Sequence, residues 1–121
     1  MSSIVITRPQ SSSGSGVPGT SVADIIITPG NFNQVDVTDQ LVAKWIYTII
    51  DETNGKVLSG EVLGLNRMGV NPTHTTYAII GDRINHKVEV IMSGPDMALK
   101  ITNNALVDIK VHVVRINVTP V

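Results

Sequence analysis

The chain has 121 residues, no cysteine, a formal net charge of −1 and only 16% charged residues. Disulfide frameworks and zinc–thiolate sites are excluded. The nine Lys and Arg are scattered singly, without the basic stripe that a grip on nucleic-acid phosphates requires. The 17 Val, 15 Ile and 11 Thr stand against 6 Leu and 5 Ala. β-branched side chains pack well on a pleated surface and lose freedom in a helix, so this balance predicts an all-β chain and excludes a helix bundle.

Residues 1–20 read as an extended N-terminal arm. Ser3–Arg8 (SIVITR) has strand composition, and Pro9–Gly19 has the Pro/Ser/Gly composition of a linker. The start lacks a basic n-region and a continuous apolar h-region, so it is not read as a secretory signal. No apolar run approaches the roughly 20 residues of a membrane span. Residues 21–121 read as one domain.

Strands alternate with turn signals from Ser21 onward. Val22–Thr28 ends at Pro29-Gly30. Asn33–Thr38 alternates Val35 and Val37 against Asp36 and Thr38. Leu41–Asp51 is apolar in both period-2 sets, which predicts a central strand covered on two sides. Asn54-Gly55 predicts a hairpin, because Asn-Gly adopts positive φ at little cost. Lys56–Asn66 returns, and Gly60 and Gly64 share one face, where they permit close backbone approach or a bulge. Thr73–Gly81, Lys87–Ser93 and Met97–Thr102 follow, the last with Met97, Leu99 and Ile101 inward. Val107–Val118 changes phase at Val113-Val114, as a β-bulge would. About eight strands at this spacing predict an antiparallel β-sandwich, immunoglobulin-like or jelly-roll-like.

The chemistry-bearing residues fall where structure alone accounts for them. His74, His86 and His112 are far apart in sequence, with no metal-ligand spacing. Asp51, Glu52, Asp82 and Asp96 sit at turns. Glu61 and Glu89 lie mid-strand, where partners such as Lys44 or Arg115 would satisfy them. No catalytic residue, cofactor site or metal site is assigned. Trp45 and Tyr47 share one phase of the most apolar strand and are assigned to the core.

The ordered set of Asp51…Asn54-Gly55-Lys56, Ser59–Leu63, Thr75–Asp82, Asp96–Asn104 and Val113–Ile116 resembles the small β-sandwich modules of tailed-bacteriophage virion proteins, those of tail fibres, collars and baseplates. The resemblance spans residues 41–118 and rests on turn-and-strand texture. It implies a non-enzymatic structural protein of the virion, assembled in the host cytoplasm, with copies of itself and other virion proteins as partners. Neither nucleic acid nor a membrane is expected as a partner. The arm then supplies the contact residues Ile4, Val5, Ile6, Arg8 and Val17, because an extended segment can add to a sheet edge and few charged residues guard the edges of this sandwich. Two alternatives are a capsid decoration protein and a module that binds host-surface glycan. For the latter the candidate platform is Tyr77 and Arg67, with Trp45 and the loop to Pro72.

Overall fold

The computed structural model describes residues 20–68 and 70–119. Eight strands fill it: β1 (Thr20–Ile27), β2 (Phe32–Thr38), β3 (Val42–Asp51), β4 (Lys56–Leu65), β5 (Thr73–Gly81), β6 (His86–Ser93), β7 (Asp96–Asn103) and β8 (Ile109–Thr119). They form two antiparallel sheets, ordered β1-β8-β3-β4-β5 and β2-β7-β6. The predicted β-sandwich is therefore the observed architecture. In immunoglobulin lettering the small sheet has the order B-E-D, and β8-β3-β4-β5 has the order F-C-C′-C″ of a variable-type sandwich. β1 occupies the place of strand G but reaches it from the N-terminal side. Thr20 lies opposite Arg115, so β1 begins at the end of the sandwich where β8 finishes.

Local chemistry explains where the strands stop. Gly30, Gly55 and Gly94 have φ of 79°, 65° and 63°, values that favour glycine in tight turns. The Asp51 carboxylate accepts from the Asn54 backbone N–H at 3.0 Å and from its side-chain amide at 2.8 Å, closing the β3–β4 hairpin. At the same end, the fully buried Asn103 ties three segments together. Its amide donates to the Ile27 and Val107 carbonyls at 2.8 and 2.9 Å, and its side-chain oxygen accepts from the Ala105 N–H. Its backbone pairs with Gly30 and Asn31 in the β1–β2 turn.

The core lies between the sheets. Trp45, Tyr47 and Ile49 of β3, Met97, Leu99 and Ile101 of β7, and Ile109, Val111 and Val113 of β8 are fully buried. Each large aromatic removes on the order of 200 Å² from water, worth about 5 kcal/mol at ~25 cal/mol per Å². Gly60 and Gly64 make room for them. A Cβ on Gly60 would lie 2.6 Å from the Tyr47 hydroxyl oxygen, and one on Gly64 would lie 2.9 Å from the Trp45 ring. Both glycines give room to the β3 aromatics; the β3–β4 register runs through them without a bulge, while the β4–β5 pairing is irregular at Gly60.

Three details differ from the pattern in the sequence. β3 is covered on one side only: its other set, Val42, Lys44, Ile46, Thr48 and Ile50, is half-buried on the outer face of the five-stranded sheet. β2 carries an irregularity between Gln34 and Asp36. Past it the phase inverts, so Thr38 is buried, Asp36 is nearly so and Val37 is exposed. The third is the phase change at Val113-Val114. β8 runs on in register against β3 there, and the irregularity sits opposite, in β1, between Ser21 and Ala23. The next position of the inward set is Arg115, whose Nη1 donates to both Asp36 oxygens at 2.8 and 2.6 Å. Trp45 Nε1 donates to the same carboxylate at 2.8 Å. An inward-facing arginine interrupts the apolar pattern there.

Candidate interaction surface

The outer face of the five-stranded sheet is read directly from the registers. One row across it is Val114–Ile46–Glu61–Tyr77, and the next is Ile116–Lys44–Leu63–Thr75. Leu65 and Thr73 continue the sequence on β4 and β5. Half of these ten positions are aliphatic, the others being Glu61, Tyr77, Lys44, Thr75 and Thr73, and no second layer covers the face among the described residues. Its central ion pair is Lys44 to Glu61 at 2.9 Å. The hydrogen bond between them raises the Lys44 ammonium above its ordinary pKa and lowers the Glu61 carboxyl below its own. Both charges are thereby satisfied within the sheet. Glu89, by contrast, pairs with Lys87 at 3.5 Å and Lys100 at 3.9 Å, while Arg115 serves Asp36 and neither mid-strand glutamate.

β5 bounds this face as a free edge of the sheet. Its residues are exposed along nearly the whole length, with Ile79 at 54% and Ile80 at 70%. Two β5 residues, Ala78 and Ile79, stand where β4 has only Gly60, between the pairs Glu61–Tyr77 and Ser59–Ile80. Ala78 carries φ of 52° within that bulge. The regular part of the edge is therefore Thr73–Tyr77. Among the described residues four strands lie at sheet edges. β1 carries Asp24, β2 carries Asp36, and β6 carries Lys87 and Glu89. β5 (THTTYAIIG) carries no Asp, Glu, Lys or Arg. Charged residues are a common guard against edge-to-edge pairing, and this edge lacks them.

The contact residues expected from the sequence divide into three groups. Ile4, Val5, Ile6, Arg8 and Val17 lie outside the described residues. Tyr77 stands on the outer face with the Lys44 ammonium 6.0 Å from its ring centre. Arg67 is exposed in the β4–β5 loop, but Tyr77 is four strand positions, about 13 Å, from the Leu65–Thr73 pair where that loop begins. Trp45, the third member of the glycan platform, is wholly buried with its N–H bound to Asp36, so it presents no ring to a sugar.

The histidines stay apart in their surroundings. His74 and His112 are exposed, whereas His86 bonds the Ile84 carbonyl oxygen at 2.6 Å. Among the described residues no three His, Asp or Glu are grouped so as to hold a metal ion. No helix is long and apolar enough to cross a membrane. The feature that sequence reading missed is the charge-free open edge, which becomes visible only when strand order shows which strand lies outermost. No family model matches the chain, and no curated protein matches it.

Proposed function

We propose that the protein is a non-enzymatic structural subunit of a tailed-bacteriophage virion, a tail, fibre, collar or baseplate component, held to neighbouring copies by its N-terminal arm. The observation that carries this reading is the uncovered outer face, half of it aliphatic, ending at the charge-free edge β5. Soluble monomers generally blunt such edges and keep apolar patches small. A chain built for a symmetric assembly has neighbours to cover them. The residue types that carry most chemistry support the same reading, because the carboxylates close turns or pair with cations within the fold.

Density-gradient fractionation of the producing culture tests it. The chain is expected to co-sediment with tailed particles, and an antibody against the sandwich should label one substructure of those particles. Recovery of the chain wholly in particle-free fractions would contradict the proposal.

A further inference from the structure

We propose that the acceptor for the arm is β5, and that Ser3–Arg8 of one copy adds to Thr73–Tyr77 of another as a sixth strand. This rests on the reading that the arm binds a neighbouring copy, and it names the place. Ser3–Arg8 offers four consecutive β-branched residues, Ile4 to Thr7, the residue type that fits a pleated surface. Its length matches the five regular residues of β5 before the Ala78 bulge. Main-chain hydrogen bonds to the unpaired side of the edge would supply affinity, and alternate side chains would supply register. Ile4 and Ile6 then fall on one face and extend the apolar surface formed by Leu63, Leu65 and Tyr77.

Reach allows either edge, and route selects a second copy as the donor. Pro9–Gly19 is 11 residues, long enough to span at most roughly 36 Å. Thr20 is level with Thr76 across the sheet, through Arg115, Trp45 and Val62. Four strand spacings, about 19 Å, separate it from its own β5. The direct path crosses Val114, Ile46 and Leu63 beside the Lys44–Glu61 pair, whose charges are already engaged with each other, so most linker amides there would lack a hydrogen-bond partner. The arm of a neighbouring copy reaches the edge from its open side and crosses nothing.

The absence of native cysteine makes the test clean. An Ile6→Cys chain is mixed with a Thr75→Cys chain, both positions on the outer face, and oxidised, and non-reducing electrophoresis should show a mixed disulfide dimer. In parallel, analytical ultracentrifugation compares the full-length wild type with Ile4→Asp/Ile6→Asp and with Thr75→Lys, each confirmed folded by circular dichroism; Thr73→Lys replaces Thr75→Lys if the latter does not fold. Wild type is expected to self-associate, and each variant to do so at least tenfold more weakly. If the arm variant loses association while the folded edge variant keeps it, β5 is not the acceptor and the arm reading survives. If both variants associate like wild type, the arm reading itself fails. A monomeric wild type, or a disulfide that forms only within an Ile6→Cys/Thr75→Cys chain, overturns donation between copies.

Discussion

Strands β3 and β5 lie two places apart in one sheet and are both rich in β-branched and aromatic residues, yet they meet different surroundings. In β3, alternate residues are sealed against the opposite sheet: Trp45, Tyr47 and Ile49 have no exposure. In β5, Ile79 and Ile80 are more than half exposed, and the strand has β4 on one side and an open edge on the other. Position in the sheet, more than composition, decides whether an apolar side chain stabilises this fold or remains free for another surface. The small sheet covers only one face of β3, so the outer-face aliphatics Ile46, Leu63 and Val114 have no second layer over them among the described residues.

Substitutions in the two strands, and one in β7 for scale, sharpen that contrast. Trp45→Ala should cost most, about 4–5 kcal/mol, because it opens a cavity and removes a donor from the Asp36 carboxylate; the urea midpoint of unfolding reads it. Asn103→Ala should cost about 2–4 kcal/mol in the same assay, since the Ile27 and Val107 carbonyls and the Ala105 N–H lose their partner. Tyr47→Phe is expected to be neutral or up to about 1 kcal/mol stabilising, as the Tyr47 hydroxyl is buried without a hydrogen-bond partner among the described residues. Ile80→Ala should fall within about 0.5 kcal/mol of wild type. A cost there comparable to that of Trp45→Ala would break the contrast.

The titration of Tyr47 and Asp51 adds a pH dimension. Burial raises the Tyr47 pKa above its ordinary 10.0. The folded state then holds the proton more tightly than the unfolded state, and stability falls as pH rises from 10 through the folded value. Tyr47→Phe should lose that alkaline decline. The Asn54 side chain, donating to Asp51, lowers the Asp51 carboxyl below its ordinary 3.8. That contribution is present above pH 3.8 and disappears as pH falls through the folded value. Asp51→Asn should therefore flatten the acid limb of a stability–pH curve, measured as urea midpoint against pH.

Much of the frame was legible because turn chemistry punctuates it. Pro29-Gly30, Asn54-Gly55 and Gly94-Pro95 mark chain reversals, and each glycine there has positive φ. The inward set Met97, Leu99 and Ile101 was equally plain from alternation. What period-2 reading could not supply was the effect of pairing irregularities. The extra residue in β2 turns Asp36 inward to meet Trp45 and Arg115, an arrangement that no local pattern signals. The double apolar phase of Leu41–Asp51 suggested two covered faces, because sequence records that a side chain is apolar and not whether a layer lies above it. The open edge depended on strand order, a long-range property. The arm contacts at Ile4, Val5, Ile6, Arg8 and Val17 rest on sequence alone.

Amide hydrogen exchange on the full-length chain, followed residue by residue over a range of protein concentrations, tests most directly whether β5 is an edge left open for a partner. β3 amides should be protected at every concentration, being bonded on both sides by β4 and β8. The amides of Thr73–Tyr77 that point away from β4 should exchange quickly when the protein is dilute. They should become protected as concentration rises, and Ile4→Asp/Ile6→Asp should abolish that protection. Fast exchange of these amides at every concentration, or protection unchanged in the arm variant, would contradict it.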